Sequence, residues 1–221
     1  MAELKHLSLL RQQVRLSRVV NHEFFNIIQG PEGRAKALIT RFLQLDSIVA
    51  SEFSQVLAAI IAGCSDRQAR FILTENLWDE QGQGDPSRVH AVLFDEMLYS
   101  MQIDVPRSID SSAARSFLDY HYELASKSTF LAAAAFCYAN ELLCLLEFPP
   151  IEGRCKDLFS DFDGRYFREN ALVDSDHARR LEECMLQLAS SDGQWDEAAE
   201  VVALALELRA SVYDEAVSAA G

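Results

Sequence analysis

Basic residues are scarce in this chain. Its 20 Lys and Arg stand against 34 Asp and Glu, a formal net charge of -14 at pH 7. No basic patch breaks the acidic balance, which argues against a nucleic-acid partner or an anionic membrane, since phosphate binding is driven by clustered Lys and Arg. Glycine and proline are also few, 9 and 5 in 221 residues, and no pair of strand-like segments is evident. The five cysteines, Cys64, Cys137, Cys144, Cys155 and Cys184, form no CxxC pair. Most sit in apolar helical patterns, where a free thiol behaves as a small hydrophobe, as expected in a reducing cytoplasm. The N-terminal stretch MAELKHLSLLRQQVRLSRVV interrupts its Leu and Val with charge, unlike the unbroken apolar run of a signal peptide or membrane span. A soluble, cytoplasmic protein is expected.

Hydrophobic residues make up 49% of the chain, enough for one domain, residues 1–221, with a sizeable core. They recur at helical period nearly everywhere, so the expected class is all-α, a bundle of about seven to eight helices. The periodicity predicts helices over 4–28, 34–62, 66–81, 86–102, 110–126, 128–148, 157–189 and 194–217. Ser65-Asp66, Asp85-Pro86 and Asp110-Ser111-Ser112 are start signals, and Gly30-Pro31, Gly82-Gln83-Gly84 and Pro149-Pro150 read as loops.

Several polar residues fall on stripes that are otherwise apolar. Asn170, Asp174 and His177 share a helical face with Leu181, Cys184 and Leu188. Glu80 follows Leu73 and Leu77, and His90 precedes Leu93, Phe94 and Met97 across the loop QGQGDPSRV, so the two can meet from adjacent helices. Glu141 lies with Ala134, Cys137, Cys144 and Leu145. One such residue is ordinarily a hydrogen-bonded core group. Three carboxylates and two imidazoles on four buried stripes are a different matter: a bound cation would offset the cost of burying them. A ligand set of oxygen and nitrogen without thiolate suits iron or manganese better than zinc. The run Ala132 to Ala135 leaves room for close helix approach or a small ligand.

The segments NHEFFNIIQG (21–30), ENLWDEQGQGDPSRVHAVLF (75–94), the helix carrying Glu141, and NALVDSDH (170–177) together resemble the haem-oxygenase-like di-iron oxidases and oxygenases, often labelled iron-containing redox enzymes. Their wider superfamily includes thiaminase II and pyrroloquinoline quinone synthase. The resemblance implies that Glu80, His90, Glu141, Asp174 and His177 are ligands of Fe(II), two ions per chain. It also implies O2 as co-substrate, used for N-oxygenation, carbon-carbon cleavage or desaturation of a small amino-acid-derived or fatty-acid-like metabolite. The family's His-x3-Asp-x2-His begins here with Asn170, whose neutral amide is a weak ligand. The alternatives are therefore a mononuclear enzyme, or a non-redox relative: a binding or interaction protein, or a cofactor-free thiaminase-like enzyme using Cys137 or Cys144. Glu52 is the candidate for an extra upstream carboxylate, against its plain reading as a solvated helix residue.

Other residues are set aside. His121 precedes Glu141 by 20 residues, about 30 Å along one continuous helix, so it reads as surface or as support to the ligands unless the chain turns between them. His22 reads as a helix-start residue. Asp79 should point away from the face of Glu80. The last helix is expected to close the bundle or form a homodimer contact. Gly82 and Gly84 make no phosphate loop, because no strand precedes them and no Lys-Ser/Thr follows.

Overall fold

The computed structural model describes residues 2–106 and 109–219. Among them the regular structure is helical throughout: α1 (Ala2–Leu16), α2 (Glu23–Ile28), α3 (Glu32–Gly63), α4 (Arg67–Glu80), α5 (His90–Ser100), α6 (Ser112–Lys127), α7 (Thr129–Phe136), α8 (Leu142–Leu158), α9 (Arg165–Leu188) and α10 (Asp192–Ala219). A π-helical turn, Cys137–Glu141, fuses α7 and α8 into one rod. Ten segments with one fusion give nine continuous helices, slightly more than the seven or eight expected.

The start signals act as caps. Asp66 accepts from Ala69 N at 2.8 Å and Ser111 Oγ from Ala114 N at 3.0 Å, and Ser128, not among those signals, does the same for α7 with Leu131 N at 3.3 Å, each satisfying an amide that the first helical turn leaves free. His22 caps α2, its Nδ1 accepting from Phe24 N at 3.1 Å while Nε2 reaches Asp214 at 2.9 Å. Asp85 caps only a 3-10 turn, Pro86–Arg88, so the helix expected from residue 86 begins at His90.

Three further boundaries differ from the periodic reading. The helix expected over 4–28 is broken because Ser17 Oγ and Asn21 Nδ2 bond the carbonyls of Val14 and Ser17, ending α1 before His22 restarts the chain. Pro149-Pro150 makes no loop, and α8 continues through it to Leu158. Buried Glu147 and Ile151 hold that stretch against the bundle, outweighing the roughly 3 kcal/mol that proline costs inside a helix. The segment expected over 157–189 instead breaks at Phe159–Gly164, where Ser100 Oγ and Asp163 bond the free amides before α9.

The α7–α8 rod packs against α3, α9 and α10, and α9 also packs against α4 and α5. Ala132 to Ala135 are wholly buried and let the rod sit close to its neighbours. By length and composition α3 and the rod could each cross a bilayer, but 72% of the rod's apolar window is buried within the bundle. The apolar face of α10 is spent on α3, α6 and α7, the core use of that helix.

Candidate metal centre

Four elements bring the polar residues of the buried stripes together. Glu80 closes α4, and the chain turns back at Gly82, whose φ of +73° suits only glycine and where a Cβ would stand 2.8 Å from the backbone of Arg88 and Val89. That tight return sets His90 at the start of α5, with its Nδ1 3.0 Å from Glu80 Oε2. Glu141 ends the π turn, which inserts one residue into the helical ladder and points both Asn140 and Glu141 inward. Asp174 and His177 come from α9. Glu80, Glu141 and His177 offer ligand atoms that all lie within 4.8 Å of one another, and His177 Nδ1 is 3.3 Å from Glu141 Oε2 and 3.5 Å from Glu80 Oε1.

All five residues are buried, His177 completely. Yet Glu80 Oε1, Glu141 Oε1, His90 Nδ1 and His177 Nδ1 have no hydrogen-bond partner among the described residues. Each such atom costs about 1–3 kcal/mol when left unmatched. One divalent cation could be shared by Glu80, Glu141 and His177, ligand types that suit iron, whereas His90 and Asp174 lie outside that close group, His90 Nδ1 facing Glu80 Oε2 instead. The residues present therefore fit the metal.

The protonation pattern agrees. Burial works against charge on His177, but Glu141, Glu80 and Asp174 outweigh it and hold the imidazole up at about 9. Burial, reinforced by Glu141 and Glu80, raises the Asp174 carboxyl far above the carboxylate range. Burial likewise raises Glu141. His90 is raised as Glu80 overcomes its burial. Protons stand where a cation would stand, the arrangement of a site that exchanges protons for metal.

Asp79 orients the centre from behind. It does point away from Glu80, and on that side its Oδ2 meets His177 Nε2 at 3.3 Å. Arg180 at 2.6 Å and Gln83 at 2.7 Å hold Asp79 in turn, and their hydrogen bonds overcome burial to keep its carboxyl below the ordinary value. A carboxylate on the remote nitrogen is the usual support of a metal-bound imidazole.

The other residues are placed as follows. Asn170 is buried on the cavity wall, its Nδ2 donating to the Tyr166 carbonyl at 2.7 Å, which leaves Oδ1 as the atom available to a cation. Glu52 is not brought to the site: it pairs with Arg115 and lies 3.4 Å from the Tyr122 hydroxyl. His121 is buried rather than on the surface, because the chain turns at Ser128 and folds α6 back along the rod. Its Nδ1 donates to the Phe117 carbonyl at 2.8 Å, and its Nε2 accepts from Asn140 at 3.1 Å. Burial lowers its pKa to about 4, so it stays neutral. Burial pushes the thiols of Cys137 and Cys144 well up, which works against the thiolate a nucleophile needs, although Cys144 lines the cavity.

A narrow cavity of about 40 Å³ adjoins the ligands, walled in part by Val49, Phe53, Ala139, Phe148 and Tyr166. The Ala132 to Ala135 run does not line it. Three buried charges that sequence reasoning passed over do: Asp46, Glu147 and Arg209. Each falls on an apolar stripe of its helix, the same signal that singled out Asp174.

A family model described as iron-containing redox enzyme matches residues 40–210. The chain belongs to that family. No curated protein matches it. Among solved structures, this iron-containing redox enzyme family member is similar to a CADD-like protein of unknown function from Nostoc punctiforme, at 15% identity and a TM-score of 0.82 over 100% of this chain and 99% of that one. It is also similar to a TenA homologue from Pyrococcus furiosus, at 14% identity and a TM-score of 0.71 over 98% and 100% of the two chains. A third likeness is to a domain of unknown function with a heme oxygenase-like fold from Shewanella denitrificans, at 15% identity and a TM-score of 0.72 over 99% and 91%. These likenesses establish the heme oxygenase-like fold, and the family match places the chain among iron-containing redox enzymes.

Proposed function

We propose that the protein is an O2-dependent non-haem iron oxidase or oxygenase acting on a small metabolite. The observation that carries this reading is the convergence of Glu80, Glu141 and His177, each with a buried atom that has no hydrogen-bond partner among the described residues, beside a cavity. Glu80, Glu141 and His177 would hold one Fe(II), with His90 beside Glu80 at its edge. Asp174 and Asn170 Oδ1, which line the same cavity, would hold a second more weakly. Iron bound there would supply the electrons and open coordination positions with which dioxygen is activated.

The chain's own residues do the rest. Asp79 fixes the His177 ring so that Nδ1 faces the carboxylates. Phe53, Phe148 and Tyr166 keep bulk water from the cavity. A volume of about 40 Å³ favours a compact amino-acid-derived substrate over a long acyl chain. The acidic surface and the buried rod support a soluble cytoplasmic enzyme that binds neither nucleic acid nor membrane. One observation favours a second reading: the Asn170 amide is tied to the Tyr166 carbonyl, which suits a mononuclear enzyme whose second position is degenerate.

Anaerobic loading with excess Fe(II), removal of unbound metal and iron counting test both. About two irons per chain with O2 consumption support the di-iron reading, and about one supports the mononuclear reading. No retained iron in the wild type, with or without candidate substrates, rejects both.

A further inference from the structure

The cavity beside the metal ligands is also walled by a charge cluster that the iron reading leaves unused. Asp46 on α3, Glu147 on α8 and Arg209 on α10 are 5%, 2% and 4% exposed. Arg209 Nη1 donates to Asp46 Oδ1, and its Nη2 donates to Glu147 Oε1 at 2.6 Å. The Tyr213 hydroxyl donates to Glu147 Oε2 at 2.6 Å. Glu147 is thus engaged at both oxygens. Asp46 is engaged at one: its Oδ2 takes no hydrogen bond from any described residue. Two carboxylates against one guanidinium leave a formal negative charge, in surroundings where an uncompensated charge is costly.

A second free acceptor stands on the same wall. Because His121 Nδ1 donates to a backbone carbonyl, its Nε2 can only accept, so the Asn140 nitrogen is the end that meets it. Asn140 Oδ1 is then the amide's free end, and Asn140 lines the cavity. The same cavity also has apolar lining, with Val49, Ala50, Phe53 and Phe148. Glu147 lies six residues beyond Glu141, about 9 Å along the helix axis.

We propose that the substrate is a small protonated amine whose ammonium group is held by Asp46 Oδ2, with Asn140 Oδ1 as a further acceptor on the same wall. Its short hydrocarbon body lies against Phe53 and Phe148. Arg209 and Glu147 are positioning residues that fix the Asp46 carboxylate. An anionic substrate would add a second negative charge to the cluster. Arg209 nonetheless has five N–H groups and donates three hydrogen bonds here, so a carboxylate is the probe of the opposite assignment. The placement of the substrate's reacting end rests on the iron reading, whereas the amine seat is testable apart from it.

The test titrates n-propylamine, 1-propanol and propionate into chelator-treated protein at pH 7, followed by saturation-transfer NMR. The series is repeated with excess Zn(II), which is diamagnetic and neutralises the carboxylates at the metal end. Propylamine should bind at least about tenfold more tightly than either rival in both series, the scale of a hydrogen bond to a charged group. Asp46→Asn should remove that preference while iron retained per chain stays at the wild-type value. The proposal is overturned if propionate binds as well as propylamine, if propylamine does not bind, if Zn(II) displaces it, or if Asp46→Asn leaves it unchanged. Should Asp46→Asn fail to fold, the ranking of the three probes on the wild-type protein decides alone. Loss of iron with the amine preference intact would reject only the iron reading.

Discussion

Asp79 Oδ2 stands 3.3 Å from His177 Nε2, and the opposite nitrogen of the same ring faces Glu80 and Glu141. The carboxylate thereby selects the tautomer: with Nε2–H donating to Asp79, Nδ1 carries the lone pair toward the metal position. Asp79→Ala should lower metal affinity by about 10–100-fold. The mutated group touches none of the four unpartnered atoms, so the folded chain should survive. The check is competition with a chelator of known affinity, and unaltered affinity would mean that packing alone orients His177.

That relationship was only half legible in the sequence. The stripe rule placed Asp79 away from Glu80, correctly, but could not say that α9 would bring His177 to meet it there. Glu80 and His90 were readable as a pair because the Gly82–Gly84 return is short. The π turn was not, since Phe136 to Glu141 is buried throughout and offers no exposed face against which an extra residue would show. His121 was misplaced by measuring distance along one helix, although Ser128 carried the signal that the chain restarts. Asp46, Glu147 and Arg209 were missed despite lying on stripes such as Phe42-Asp46-Val49 and Leu206-Arg209-Tyr213. What those stripes do not show is that the carboxylates of α3 and α8 meet Arg209 of α10.

Metal and protons should compete, with a definite sign. His177 titrates at about 9 in the folded chain against an ordinary 6.5. Its stabilising proton is therefore fully present below pH 6.5 and is lost as pH rises through 9. Asp174, also raised, acts in the same direction. Metal-free protein should lose thermal stability from pH 6.5 to 9, while the increase in Tm given by saturating Mn(II) grows over that interval. Calorimetry in two buffers of different ionisation heat should show net proton release on Mn(II) binding near pH 7. A metal-induced shift independent of pH would contradict the exchange.

Asn170→His should strengthen the weaker metal position. The substitution offers a neutral imidazole nitrogen in place of an amide oxygen whose nitrogen is bonded to the Tyr166 carbonyl. Iron retained after gel filtration should rise, approaching two per chain where the wild type holds fewer. If the count does not change, the degenerate position is closed for another reason and the mononuclear reading gains.

Arg209 separates stability from recognition. Replacing it by Met leaves Asp46 and Glu147 buried without a cation, a change of the kind that costs about 3–5 kcal/mol. For a chain of this size that corresponds to a fall in Tm of roughly 6–20 °C. Removing the whole cluster should behave differently. In Asp46→Leu, Glu147→Met, Arg209→Met, Tyr213→Phe no polar partner is stranded, because the Tyr213 hydroxyl that served Glu147 is gone as well. An apolar core of similar volume is often as stable as a buried ion pair, so Tm should return close to the wild-type value. Amine binding should nevertheless be lost in the quadruple variant, since the carboxylate oxygen that receives the ammonium has been removed. A quadruple variant that recovers stability without recovering propylamine binding would show that these charges are retained for the ligand. One that remains as unstable as Arg209→Met would show that the cluster holds α3, α8 and α10 together in a way apolar packing cannot replace.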